Sequence, residues 1–275
     1  MITVRQITTL DDPELEVYSH LTEAQLRNKL EPTKGVFIAE SPKVIKAALE
    51  AGCQPLSVLT EEKFVDRQVL PFAEKFGNIT VYTGSRELLS SLTGYSLSRG
   101  MICAMYRPEL PSVEAICNEA KRVVLVDGVV NATNTGAIFR AAAALGIDAL
   151  LFTHTCCDPL NRRSVRVSMG TIFKLSWTQL DSSTSATEAV GQLRENGFVT
   201  IAMALTDKAL PIDSPAFANL DRAAIVLGNE GDGLPAETIT ACCHSAIIPM
   251  QNGVDSLNVA AAAAVAFWQL RVRKG

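Results

Sequence analysis

An α/β fold in two parts is predicted by three features of this sequence. Strand and helix signals alternate along it, a charged double-proline break falls before the middle, and continuous apolar strands follow that break. The chain has 275 residues, 48% hydrophobic and 20% charged, an ordinary globular composition with room for two modest domains. Residues 13–29 read as a helix. "GVFIAE" reads as a strand, and "SPKVIKAALEAG" as a helix with Ser41 as N-cap, Pro42 at its first position and Gly52 as its stop. "PLSVLT" is the next strand, followed by a helical stretch that Pro71 interrupts and by the strand "NITVYT". The helix "SRELLSSLTG" and the strand "GMICAMY" complete an α/β layer.

The segment "RPELPS" carries two prolines and charge and is the best boundary in the chain. The expected division is an α/β domain over residues 1–107, a linker and leading helix over 108–120, and a second α/β domain over 121–275. The second half runs from a helix over 113–120 to the strand "RVVLVD", the loop "GVVNATN", the helix "TGAIFRAAAALG" and the strand "DALLF". A polar loop, "THTCCDPLNRRS", a helix near 186–196, and the strands "FVTIAMAL", "AAIVLG" and "SAIIPM" follow. Continuous apolar strands of this kind belong to a mainly parallel sheet covered on both faces.

Composition narrows the function classes. No apolar run approaches the ~20 residues of a membrane span, and the N-terminus lacks a basic region followed by an apolar core, so no membrane association is expected and the cytosol is the expected compartment. Seven cysteines in odd number, with no CxxC and no Cys/His ligand spacing, read as small buried or half-buried thiols. Three scattered histidines, His20, His154 and His244, offer no metal-ligand pattern, so no metal is expected. The net charge of −4 does not by itself suggest nucleic acid, though phosphate binding needs only a local basic surface. The candidates are "NRRSVR" with Arg162, Arg163 and Arg166, then Arg99, Arg107 with Lys121 and Arg122, and the tail "RVRKG". A solvated surface is the ordinary explanation of each alone.

Three strands end in unusual loops. One runs into "DGVVNATNTGAIFRAA", with Asn131, Asn134, Gly136 and Arg140; the others run into "GNEGDG" and "PMQNGVDSLN". Ligands of open α/β sheets sit beyond the carboxyl ends of strands, and glycine lets backbone approach where a Cβ would collide. Each feature has a plainer explanation: glycines as turn punctuation, Asn134 and Ser256 as helix caps, Arg140 as a snorkelling surface residue, and the run Ala260 to Ala264 as close packing. Their joint occurrence at three strand ends outweighs these and points to a cofactor pocket. The signature GxxxxGK followed by Ser or Thr is absent, as are GxGxxG and GxSxG, which disfavours P-loop, dinucleotide and hydrolase chemistry.

Taken together, "NTGAIFRAAAALG", "VLGNEGDGL" and "IPMQNGVDSLNVAAAAAVAF" closely resemble the three ordered motifs of the SpoU/TrmH family of RNA ribose 2′-O-methyltransferases, in the SPOUT superfamily, over Lys121 to the C-terminus. The first half resembles the ribosomal-protein-like α/β domain that many members carry to bind RNA, with "FIAESPKVIKAALEAG" as its opening strand and helix. The resemblance implies a deep C-terminal trefoil knot, S-adenosylmethionine bound in the knotted loops, and a homodimer with its site near the interface. It implies that Gly228, Ile248 and Leu257 hold the cofactor mainly through backbone, with Met250 and Leu205 flanking it. It places Asn134, Arg140, Glu230, Ser256 and Asn258 on the family's invariant polar positions. One departure stands out: where many members have Asp-Pro before the first asparagine, this chain has Asn131 and Ala132, a change that bears on RNA choice.

The implied reaction moves a methyl group from a sulfonium to a ribose hydroxyl, leaving S-adenosylhomocysteine. The leaving group is already activated, so the enzyme must chiefly align the reacting atoms and help remove a proton. Arg140 is the residue expected on the acceptor side, clamping a phosphate and stabilising developing alkoxide charge. The family's arginine is often cast as general base, but arginine has a reference pKa above ~12 and rarely deprotonates, so a phosphate oxygen or water is an equal candidate. Glu230 is expected to orient Arg140 or a loop, and Asn134, Ser256 and Asn258 to position the ribose and tie the loops together. Two other readings compete: a non-catalytic RNA- or ribosome-binding protein that kept the fold, and an unrelated α/β oxidoreductase. Intact polar positions disfavour the first and the wrong glycine order the second. Ribosomal RNA is slightly favoured over tRNA by the front domain, and with 6% aromatics recognition is expected through shape and phosphates.

Overall fold

The computed structural model describes residues 2–9, 12–19, 23–27, 35–93 and 100–272, and Arg99 with the last three residues of the basic tail lies outside them. The chain divides into two compact units, residues 1–109 with 160–173, and residues 110–159 with 174–275.

The first unit begins with β1 (Ile2–Gln6), α1 (Glu16–Ser19), α2 (Glu23–Arg27), β2 (Val36–Glu40) and α3 (Pro42–Glu50). It continues with β3 (Pro55–Glu61), α4 (Ala73–Phe76), β4 (Ile79–Gly84), α5 (Arg86–Thr93) and β5 (Met101–Tyr106). The sheet order is β1-β4-β3-β5-β2, with β1, β4 and β3 parallel and β5 antiparallel to both its neighbours. β1 escapes a hydrophobic-pattern search because it is an edge strand, exposed at four of its five positions. Of the helix expected over 13–29, the described residues form a 3₁₀ turn, Pro13–Leu15, capped by Asp12, then α1 and α2; residues 20–22 and 28–29 lie outside the described residues. Tyr18 anchors this segment: its hydroxyl donates to the Ser57 carbonyl at 2.8 Å and accepts from the Ala104 amide at 3.3 Å. The helix after β2 starts at Pro42 as expected, but Ser41 makes no side-chain cap; its φ of 85° is in the left-handed region. The stretch around Pro71 breaks into short 3₁₀ and π turns, because proline there removes a helical amide.

The second unit holds α6 (Val113–Glu119), β6 (Arg122–Val126), α7 (Ala132–Ala144) and β7 (Ala149–Phe152). The chain then leaves it for α8 (Arg162–Ser168), which packs on β2 and belongs to the first unit. β8 (Ser176–Gln179), α9 (Ala186–Glu195), β9 (Val199–Met203), β10 (Leu210–Pro211) and β11 (Ala223–Leu227) return to the second unit, followed by α10 (Ala236–Ala241), β12 (His244–Ile247) and α11 (Val259–Leu270). Its seven strands lie in the order β10-β12-β9-β11-β6-β7-β8, and every pairing is parallel. β6 and β11 are buried at all five positions, which explains their unbroken apolar sequences. Arg122 is the exception in composition, and its buried guanidinium donates to the carbonyls of Leu270 at 2.6 Å, Leu220 at 2.7 Å and Asp221 at 2.8 Å. It thereby ties the start of β6 to the last residue of α11. Among the described residues no helix is long and apolar enough to cross a membrane.

Candidate active site

Parallel pairing brings the carboxyl ends of β6, β9, β11 and β12 to one edge of the sheet. After β6, Asn131 is the true N-cap of α7: its Oδ1 accepts from the Thr133 amide at 2.8 Å and the Asn134 amide at 3.4 Å. That releases Asn134 from capping. Its side chain, 8% exposed, donates through Nδ2 to Glu230 Oε1 at 2.6 Å and accepts at Oδ1 from Asn258 Nδ2 at 3.0 Å. One amide thus joins the first turn of α7, the loop after β11 and the start of α11. Asn258 also caps α11, its Oδ1 accepting from the Ala260 amide at 3.0 Å, so Ser256 is not the cap.

Beside this junction lies a cavity of about 540 Å³ lined by the ends of β9, β11 and β12 and by residues 254–257. Leu205, Gly228, Ile248, Met250 and Leu257 all line it, as do Glu230 and Ser256. The cavity has an apolar floor from Leu227, Ala246 and Val259, and three carboxylates, those of Glu230, Asp232 and Asp255, with no lysine or arginine in its lining. Such a site favours an apolar ligand bearing positive charge. Gly228 is required by close approach, since a Cβ there would lie 2.3 Å from the carbonyl carbon of Gly233.

Arg140 stands apart. Six residues beyond Asn134, it lies about 9 Å further along α7 and about 120° around it, and it is exposed. It does not line the cavity, and among the described residues its guanidinium has no hydrogen-bond or ion-pair partner. Glu230 bonds to Asn134 and, among the described residues, makes no bond to Arg140. Of the basic cluster, Arg162 pairs with buried Glu40 through Nε, and Arg166 lies 3.6 Å from the same carboxylate, while Arg163 is exposed. Among the described residues no group of three or more His, Cys, Asp or Glu gathers as a metal site. Asn229, Asp232 and Asp255 are not singled out by the sequence reading, although an asparagine directly after a glycine and an aspartate between glycines are recognisable turn signals.

A seven-stranded parallel sheet with a cavity at its carboxyl edge defines an α/β protein that binds a small ligand through strand-end loops. The chain belongs to the SpoU rRNA Methylase family, whose model matches residues 121–268, and is an RNA methyltransferase of that family. It is 33% identical to an uncharacterized tRNA/rRNA methyltransferase of Mycobacterium tuberculosis over 277 residues, covering 100% of this chain and 93% of the relative. It is 31% identical to the 23S rRNA (guanosine-2′-O-)-methyltransferase RlmB of Acinetobacter baylyi, over 74% of this chain and 82% of that one. The fold matches an AdoMet-bound rRNA methyltransferase of Sinorhizobium meliloti with a TM-score of 0.81 at 21% identity, covering 97% of each chain. It also matches the SpoU methyltransferase AviRb of Streptomyces viridochromogenes in complex with AdoMet, with a TM-score of 0.74 at 21% identity over 88% of this chain and 92% of that one.

Proposed function

We propose that this protein transfers the methyl group of S-adenosylmethionine to a ribose 2′-hydroxyl of structured RNA, with ribosomal RNA favoured over tRNA. The observation that carries the reading is the Asn134 junction, which holds Glu230 and Asn258 together at the rim of the cavity. The residues fit the cofactor: about 540 Å³ accommodates a nucleoside with an amino-acid tail, the apolar floor suits its adenosine, and the carboxylates suit its sulfonium and ammonium. Gly228, Ile248 and Leu257 would hold it with Met250 and Leu205 at its flanks, and it would supply an activated methyl group.

The remaining chemistry belongs to the chain. Asn134, Ser256 and Asn258 orient the ribose as neutral hydrogen-bonding groups, and Glu230 locks Asn134 in place. Arg140 holds the acceptor phosphate and offsets charge developing on the ribose oxygen. The proton leaves to a phosphate oxygen or water. The preference for ribosomal RNA is supported by relatives: RlmB of Acinetobacter baylyi and RlmP of Bacillus subtilis, the latter 26% identical over 90% of this chain, are named 23S rRNA guanosine 2′-O-methyltransferases.

In this reading the loops after β11 and β12 form a trefoil knot, as the resemblance of their motifs implies. The first unit is the ribosomal-protein-like RNA-binding domain, with Arg163 of α8 on its exposed surface and Arg162 and Arg166 bracing α8 against Glu40. The working form is a homodimer in the cytoplasm. α11, "VAAAAAVAFWQL", is apolar at every position but Gln269 and leaves Val265 39% and Trp268 56% exposed, a face suited to a second copy. In this reading Arg140, exposed on α7, serves the acceptor across that interface. The reaction type is tested by alkaline hydrolysis of RNA labelled by the enzyme: ribose methylation yields label in alkali-resistant dinucleotides, whereas label in mononucleotides would mean base methylation.

A further inference from the structure

The loop after β11 is bonded to one side chain that takes no direct part in the chemistry above. Asn229 Oδ1 accepts from the Gly231 amide at 2.8 Å and from the Asp232 amide at 2.7 Å, and the Asn229 amide donates to the Gly233 carbonyl at 3.2 Å. Three of the six residues from Gly228 to Gly233 are glycines, which carry no side chain to hold a conformation and lose the most freedom on ordering. Glu230 sits inside the ring that Asn229 closes, and its carboxylate must meet Asn134 at 2.6 Å. Asn229 reaches a second loop as well: a Cβ built at Gly128, whose φ is 65°, would lie 3.3 Å from Asn229 Cβ. Gly128 belongs to the connection that leads to Asn131 and Asn134.

We infer that Asn229 is a positioning residue for methyl transfer: through its side-chain oxygen it templates the 228–233 loop, sets Glu230 against Asn134, and shapes one wall of the cofactor cavity. The assignment rests on the methyltransferase reading only for its kinetic consequence; the templating itself is a property of the loop. A carboxamide or carboxylate at this position can accept from both amides, whereas a methyl group cannot, so Asn229→Ala and Asn229→Asp separate the templating from bulk. Misplacing a catalytic group by about 1 Å can cost about 100-fold in rate.

The test is hydrogen exchange across residues 228–235 of the full-length protein, with methyl-transfer kinetics and thermal melting on the same samples. Asn229→Ala should lose protection at Gly231 and Asp232, raise KM for S-adenosylmethionine roughly tenfold and lower kcat by about 100-fold, with Tm unchanged. Asn229→Asp should restore the protection and most of the KM effect. Exchange protection that survives in Asn229→Ala overturns the templating, whatever the enzyme methylates. Lost protection with KM and kcat both at wild-type values overturns the positioning role. Wild-type protein that neither binds nor uses S-adenosylmethionine, with protection present, would retire the methyltransferase reading and this kinetic role with it.

Discussion

Asn134 uses both ends of its amide, donating to Glu230 and accepting from Asn258, and this polarity can be reversed by design. Asn134→Ala should lower kcat by about 100-fold by releasing both partners. Asn134→Asp should do at least as much, because it sets two carboxylates against each other. Adding Glu230→Gln to Asn134→Asp restores one donor and one acceptor, so the double variant should recover part of the loss, with a coupling of about 0.5–3 kcal/mol measured by a double-mutant cycle. Strict additivity would contradict the junction. Much of this was legible in the sequence, where the resemblance places Asn134, Glu230 and Asn258 on invariant polar positions at strand ends rich in glycine. What could not be read was who bonds to whom. Asn131 and Asn134 are both plausible caps three residues apart, and only the backbone decides that Asn131 caps and Asn134 is released. For the same reason Glu230 was assigned either Arg140 or a loop as its partner.

Among the elements, those buried on both faces were the most legible. β6 and β11 announce themselves as unbroken apolar runs; the helix expected near 186–196 is α9, which the structure closes with a Ser185–Glu188 capping box. β1, β8 and β10 did not, because edge and short strands carry no such pattern. α8 was legible as a basic loop but not as part of the first unit, since its tie is the pairing of Arg162 and Arg166 with Glu40, more than a hundred residues away in sequence. The N-terminal segment depends on a similar long-range network. Tyr82 donates to Glu14 Oε2 at 2.7 Å, and Arg5 holds Asp12 at 2.9 Å and Glu14 at 2.5 Å. Burial first, and the Glu14 carboxylate second, push the Tyr82 hydroxyl up to about 12 from its ordinary 10.0. A folded-state pKa raised above the unfolded value gives stability that is complete below about pH 10 and is lost as pH rises through about 12. Tyr82→Phe should therefore reduce the drop in urea stability between about pH 9 and about pH 11. A drop of wild-type size in the variant would show that Tyr82 is not its source.

At the scale of the whole molecule, the order of the seven parallel strands places three distant sequence motifs at one edge, and the family match over residues 121–268 covers the same region. The fold class and the order of the motifs were readable from sequence; a knot in the loops rests on the resemblance alone, because connection rules argue against knots. The proposed dimer belongs to this scale as well. A charge on the exposed face of α11, Trp268→Glu, should convert the protein to monomer in sedimentation equilibrium and remove activity, while the cavity residues stay unchanged. A variant that remains dimeric would move the interface elsewhere.

The central claim is that the strand-end loops form a site for methyl transfer to RNA in which Arg140 serves the acceptor and not the cofactor. The most direct test is transfer of labelled methyl from S-adenosylmethionine to unmodified total RNA, resolved into ribosomal RNA and tRNA, by wild type and Arg140→Ala, with cofactor affinity measured on both. The expected result is label in the ribosomal fraction from wild type, a loss of roughly 3–4 kcal/mol in transition-state stabilisation in the variant, and nearly equal cofactor binding. Cofactor binding that collapses together with transfer in Arg140→Ala, or wild-type protein that binds the cofactor and labels no RNA, would contradict it.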